Sequence, residues 1–352
     1  MGDFGVRGGP AQDDSDPPGR TLVPAGGAGG AAADYGAPLL IAWQLTNRCA
    51  GGCLACCEES GPQRGWPDEL SREGALALAR QIGAAGIPYV VFGGGEPLGV
   101  AHCWEVFETL SRGGVALKLE TDGRHIDDAA AERLAGLPVN CIQISVDGAS
   151  AATHERVRPG SSFTDTLRAM ERLTARGRPP QMVFAPTRLN LHEAVAAYEL
   201  AVSIGCQAFV TGPLMRLGRA ATDWARLGCS TAEWQQAVEL LRERARELDT
   251  DTALAIYPWD ILAEMERRLA CPQAMLLVVP NGKVKLLNAL PFAVADLKRH
   301  SLAHAWEAYR HAWRSAEVAR FIGACRTDPA LLRHANETWP LAAPQPVGVS
   351  RE

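Results

Sequence analysis

No stretch of the 352 residues approaches eighteen consecutive apolar positions, so no membrane-spanning helix is predicted. A basic run is absent too. Net charge is −5 and the pI is near 6.0, which argues against a broad electrostatic surface for nucleic acid. The N-terminus lacks the basic-then-apolar order of a secretory signal. It carries Asp3, Asp13, Asp14 and Asp16, followed by the Gly/Ala-rich stretch 25–36, so residues 1–36 read as a disordered lead. Ten cysteines without such a signal point to a reducing, cytoplasmic setting, with thiols serving metal or core rather than disulfides. Paired zinc ligands are also missing. After Cys57 the next Cys or His is His102-Cys103, too distant to complete a compact knuckle.

What is present is a large apolar fraction, 47%, enough to bury one big domain plus a small appendage. Beyond residue 37, short β-rich runs alternate with longer helical patterns. The runs are Leu39–Leu45, Tyr89–Phe92, Val115–Glu120, Asn140–Val146, Gln181–Ala185 and Cys206–Thr211. Between them lie helical stretches over Leu70–Ala84, Ala101–Arg112, Ala129–Leu134, Thr164–Arg176 and Leu191–Ile204, with Ser71 as an N-cap and Gly86 and Gly113 as stops. Six βα repeats imply a parallel sheet with helices outside it, an α/β fold. Six strands are too few for a closed eight-stranded barrel, so an open three-quarter barrel, a partial (β/α)6 arrangement, is predicted. Its chemistry would sit at the C-terminal strand ends.

The first strand end carries Cys49-x3-Cys53-x2-Cys56 on a loop in which Gly51 and Gly52 let the backbone wrap tightly. Three close thiolates can hold three corners of a [4Fe–4S] cubane and leave one iron open. Zinc, a disulfide or chance spacing are the alternatives. The residues alone reach a three-thiolate metal site at the mouth of a βα barrel.

This motif resembles the signature of radical S-adenosylmethionine (radical SAM) enzymes. The resemblance implies that Cys49, Cys53 and Cys56 ligate a [4Fe–4S] cluster whose open iron binds SAM. Phe92-Gly93-Gly94-Gly95-Glu96-Pro97 resembles the family's GGE turn, which implies that Gly94, Gly95 and Glu96 hold the SAM amino group; an ordinary glycine turn is the plainer reading. Thr121-Asp122-Gly123 is similar to the family's T-N-G turn, or a simple polar turn. Ile142–Gly148 with His154 and Arg158 resembles an "SVDG…H-x-x-x-R" segment, which implies that Ser145 approaches SAM and Arg158 pairs with its carboxylate; a surface salt bridge is the alternative for Arg158. Thr187-x-x-Asn190 is similar to a pattern near the ribose, and Leu214 with Gly218-Arg219-Ala220 to a segment beside adenine, with core or loop roles standing beside both. The residue before the third cysteine, usually aromatic in the family, is Ala55, and Leu214 could supply the missing apolar cover.

From about residue 230 the pattern changes. Thr231–Leu248 reads as an amphipathic helix with Trp234, Ala237, Leu240 and Leu241 on one side. Ala274–Val279, Pro280-Asn281-Gly282 and Val284–Leu287 read as a hairpin, and Ser301 opens a helix containing Trp306 and Trp313. The domains expected are therefore a barrel over 37–229, an α+β extension over 230–340 and a tail over 341–352. The extension resembles the SPASM or "twitch" module that carries auxiliary clusters in many radical SAM enzymes. Cys271 and Gly282 fit it, but the second cysteine position is Leu287 and the later cluster is reduced to Cys325. Two thiols rarely hold a cubane, so the extension is expected to have lost its clusters and to shape the substrate pocket.

The function expected is hydrogen abstraction from a small natural-product or cofactor-precursor substrate, leading to epimerisation, dehydration, decarboxylation or bond formation. Modification of a ribosomally made peptide is the alternative, and a non-catalytic iron–sulfur scaffold is the rival of another class. The resemblance also implies an electron donor such as flavodoxin or ferredoxin. Core packing is the default for the remaining thiols. Cys57, Cys229, Cys271 and Cys325 are candidate hydrogen donors should the product be an epimer.

Overall fold

In the computed structural model, residues 31–341 are described. Most of the expected lead (1–30) and most of the expected tail (342–352) lie outside them. In chain order the elements of the first part are β1 (Leu40–Thr46), α1 (Arg72–Ala84), β2 (Tyr89–Gly94), α2 (Cys103–Arg112), β3 (Ala116–Thr121), α3 (Asp128–Ala135), β4 (Val139–Ser145), α4 (Ala151–Val157), α5 (Phe163–Ala175), β5 (Gln181–Phe184), α6 (Ala194–Ile204) and β6 (Ala208–Thr211). β1 to β6 pair in sequence order and all in parallel, so the six predicted repeats are the six observed. Ser71 caps α1 by accepting from the Gly74 amide at 3.2 Å.

Alternation decides which face each strand buries. On β1, Ile41, Trp43 and Leu45 are buried under the helices, and on β3 so are Leu117 and Leu119. The opposite face of β3 carries Lys118 and Glu120, which form an ion pair at 2.9 Å. Glu120 keeps 46% of its side chain exposed on a strand flanked by β2 and β4, so the inner face of the barrel is open there.

The second part comprises α7 (Gly218–Thr222), α8 (Trp224–Leu227), α9 (Thr231–Leu248), β7 (Ala253–Ile256), α10 (Ile261–Ala270), β8 (Met275–Val278), β9 (Lys283–Lys285), β10 (Phe292–Asp296), α11 (Leu302–Ala312), α12 (Ala316–Thr327) and β11 (Trp339–Pro340). Its strands join the sheet of the first part. β7 pairs in parallel with β6, and β8 pairs in parallel with β1 through Leu40–Met275 to Trp43–Val278. One eleven-stranded sheet results, in the order β11-β10-β9-β8-β1-β2-β3-β4-β5-β6-β7. The β8–β9 hairpin turns at Asn281-Gly282, where Gly282 takes φ +81°.

Three expectations are corrected in detail. Leu240 is 48% exposed; the buried stripe of α9 runs through Ala237 and Leu241. Trp313 caps the C-terminus of α11 rather than lying within it. The end of the expected lead is anchored: the Ala32 amide donates to the Pro272 carbonyl at 2.7 Å, and the Trp306 indole donates to the Tyr35 carbonyl at 3.1 Å. Among the described residues no helix is long and apolar enough to cross a membrane.

Candidate active site

The loop after β1 is fixed at its base by polar side chains. Glu69 accepts from the Thr46 hydroxyl (2.8 Å) and the Asn47 amide (2.9 Å), and Asn47 Oδ1 accepts from Ser60 at 2.8 Å. Further along, the amides of Gly52 and Leu54 donate to the carbonyls of Pro159 (2.7 Å), just past α4, and Val157 (2.9 Å), its last residue. Gly51 lies between two of the thiols. A Cβ built there would stand 3.6 Å from Cys53 Sγ and 3.7 Å from Cys49 Sγ, and the Gly51 amide donates to Cys49 Sγ at 3.4 Å. The bare backbone thus leaves a cradle between the sulfurs. Yet no three His, Cys, Asp or Glu side chains among the described residues converge as a single ion requires. The donor set is all sulfur, which fits an iron–sulfur cluster held by thiolates.

The glycine turn after β2 presses on this loop. A Cβ on Gly95 would fall 2.0 Å from the Arg48 carbonyl oxygen, and one on Gly94, at φ +105°, would fall 2.6 Å from that of Thr46. In exchange the Gly95 and Glu96 amides donate to the Thr46 (2.7 Å) and Arg48 (2.8 Å) carbonyls. Glu96 is buried and turns its carboxylate towards β3, accepting from Thr121 Oγ1 (2.8 Å), the Asp122 amide (2.9 Å) and the Leu98 amide (3.1 Å). Burial, with Asp122 adding to it, pushes its pKa up to about 8. Thr121 is therefore engaged with Glu96 and with the Gly123 amide.

Ser145 stands half-buried at the end of β4. Arg158 donates from Nη1 to Asp147 at 2.8 Å, an ion pair with side-chain exposures of 14% and 3%. Its Nε is buried with no hydrogen-bond partner among the described residues. The guanidinium also lies close enough to Cys53 to oppose the effect of burial on that thiol, which is the larger and raises its pKa. An orphaned guanidinium N–H beside a thiol suits an anionic ligand group. His154 is an internal strut: its Nδ1 accepts from the Asp147 amide at 3.2 Å, its Nε2 meets Ser161 at 3.0 Å, and burial lowers its pKa to about 4, so it is neutral. Asn190 is fully buried, its Oδ1 holding Thr187 and its Nδ2 the Asp147 and Ala185 carbonyls. It ties β4's loop to β5's and has no free group for a ribose. Leu214 is half-buried in the loop after β6.

Residues 43–201 match the family model of the Radical SAM superfamily. This chain carries a radical SAM domain. It is an enzyme of that family, which uses a [4Fe–4S] cluster and SAM. It is similar to the mycofactocin maturase MftC of Mycobacterium ulcerans, 28% identical over 82% of this chain and 79% of that protein. The AdoMet-dependent heme synthase of Methanosarcina barkeri is 25% identical over 81% and 84%. Among solved structures, Streptococcus suis SuiB bound to the precursor peptide SuiA superposes with TM-score 0.63 at 12% identity, over 77% of this chain and 65% of that one.

The radical SAM core leaves several polar groups unabsorbed. Cys57 follows the third motif cysteine and points its thiol at Glu58 (3.7 Å); burial and Glu58 push its pKa well up. Glu58 in turn feels Lys285 of β9, whose Nζ donates to the Ala335 carbonyl and whose pKa burial holds down to about 8. Of the other candidate donors, Cys229 is half-buried after α8, Cys271 is exposed at the end of α10, and Cys325 is buried within α12. Cys141, by default a core thiol, is only half-buried. It lies on β4 in the same alternation as Ser145, and its thiol feels Lys118 and Glu120. The signal was legible in β3, where Lys118 and Glu120 interrupt Leu117 and Leu119 with period two.

Proposed function

We propose that this radical SAM enzyme is a maturase that takes a hydrogen atom from a residue of a precursor peptide. The observation that carries the reading is the extent of likeness to MftC: it spans 82% of the chain and so continues past the barrel into the extension. SuiB, similar in fold, is a protein described with a precursor peptide bound. A second reading, a tetrapyrrole-like cofactor precursor, is favoured by the similarity to heme synthases over 81% of the chain. It preserves the small-substrate expectation drawn from the lost cysteine positions.

When bound, the reduced cluster and SAM supply a 5′-deoxyadenosyl radical, with methionine as the other product. The chain's residues do the rest. Cys49, Cys53 and Cys56 would hold the cluster, with the cradle at Gly51 between two of them. Gly94 and Gly95 bring backbone within hydrogen-bond reach of the cluster loop, while Glu96 braces that turn against β3. Arg158, held by Asp147, offers its unpaired Nε to a carboxylate. Ser145 and the inner-face groups Lys118 and Glu120 line the way to the substrate.

The test is anaerobic reconstitution with iron, sulfide, SAM and dithionite. The expected result is 5′-deoxyadenosine from the wild-type chain and none from the Cys49→Ala, Cys53→Ala, Cys56→Ala triple variant. Deuterated peptides encoded beside the gene should pass label into 5′-deoxyadenosine, whereas an iron porphyrin should not. Label from the porphyrin alone would replace the peptide reading with the second. Undiminished activity in the triple variant would overturn the assignment of the cysteines.

A further inference from the structure

The cysteine loop is gripped by residues far along the chain. Arg219, at the start of α7, donates from Nε to the Cys53 carbonyl (2.7 Å) and from Nη1 to the Ser60 carbonyl (2.8 Å). Its amide donates to the Cys56 carbonyl at 3.1 Å. The contact is backbone-tight. Gly218 takes φ +51°, and a Cβ there would stand 2.3 Å from the Cys57 oxygen and 2.6 Å from the Cys56 oxygen. Next to it, Asn336 donates from Nδ2 to the Cys57 carbonyl (2.8 Å) and to Glu59 Oε2 (2.9 Å). The carbonyls of two motif cysteines are therefore bound by one arginine 166 residues beyond the first of them.

We propose that Arg219 is a positioning residue for the iron–sulfur centre: its fork sets the path of the loop that presents Cys53 and Cys56, and its fixed charge favours uptake of an electron there. The inference rests on the reading that the cysteine trio holds the cluster. A guanidinium fork fits two carbonyls at once and stays charged throughout the working range. A cation beside a centre that gains one electron stabilises the reduced form, and cluster potentials follow local charge and hydrogen bonding. Asn336 grips the same loop without a charge, which allows the two effects to be separated.

The experiment uses the full chain with Arg219→Gln, Arg219→Lys and Asn336→Ala. In the iron-free protein, hydrogen exchange across residues 49–60 is expected to quicken about tenfold in both Arg219 variants, since neither side chain can bridge the Cys53 and Ser60 carbonyls as the guanidinium fork does. In the loaded protein, titration with dithionite is expected to give a more negative midpoint for Arg219→Gln only. Arg219→Lys keeps the charge, and Asn336→Ala never carried it. Wild-type exchange in both Arg219 variants would overturn the clamp. An unshifted midpoint in Arg219→Gln, or an equal shift in Asn336→Ala, would overturn the role of the charge. Should Arg219→Gln fail to fold, a shifted midpoint in Arg219→Lys overturns that role and an unshifted one with quickened exchange supports it. A wild-type chain that takes up no cubane overturns the assignment of the trio instead, and the exchange comparison still decides the clamp.

Discussion

The mouth of the barrel and the extension beside it are built on opposite terms. At the mouth, four strand-end loops lock one another through backbone contacts, and glycines stand where any side chain would meet a carbonyl oxygen. In the extension, two of the positions compared with the SPASM-like cysteine pattern are filled by core, Leu287 at 7% exposure and Cys325 at none, while Cys271 is exposed. One region holds reactive groups in fixed places; the other covers and braces. The difference teaches that the extension's strands are kept by the sheet itself, which they complete on both sides of the barrel strands.

The comparison breaks most sharply at glycine. Gly95→Ala forces a Cβ onto the Arg48 carbonyl and is expected to destabilise the chain by more than about 3 kcal/mol. Gly323→Ala, in α12 with nothing within 4 Å of a new Cβ, should stabilise it by about 0.5–1 kcal/mol. Urea denaturation of both reads the contrast; equal effects would erase it.

Next in size is the buried pair. Asp147→Asn leaves Arg158 uncompensated and should cost about 3 kcal/mol together with a loss of SAM affinity by calorimetry. An unchanged affinity would remove Arg158 from the ligand site.

Lys285 is a buried cation that the extension brings near the cysteine loop, and it can be read through pH. Burial lowers its pKa from 10.5 to about 8. Between those values the native chain has released a proton that the unfolded chain still binds, so stability rises with pH across that window. The wild-type minus Lys285→Met difference should therefore climb by up to about 3 kcal/mol from pH 8 to 10.5. A flat difference would place the amine in water.

The smallest effects belong to the thiols of the extension. Cys325→Ala should cost about 1 kcal/mol and Cys271→Ser close to nothing, both with wild-type iron content by colorimetric assay. Loss of iron in either would return a cluster to the extension.

Much of the frame was legible in the sequence because it is local. Period-two runs and the cap at Ser71 place the six central strands and their helices to within a few residues, and the cap at Ser301 does the same for α11. The glycine and cysteine motifs announce the mouth, since their spacing is itself a backbone constraint. What stayed hidden depends on partners distant in sequence. Nothing in Gly218-Arg219 says that it reaches Cys53, and nothing in Met275–Val278 says that it lies against β1. Asn190 matches a ligand-side pattern, yet only the fold reveals that its amide is taken up by neighbouring loops.

The sheet has a practical consequence for anyone who would rebuild this enzyme. Because β8 flanks β1 and β7 flanks β6, the barrel has no seam along which the C-terminal third could be cut away. Deletion would bare two strand edges at once and invite self-association. A graft from a relative would have to match register along Leu40–Trp43 on one side and Ala208–Thr211 on the other. Altering what the catalyst accepts is therefore better attempted by exchanging side chains on the inner face than by exchanging modules.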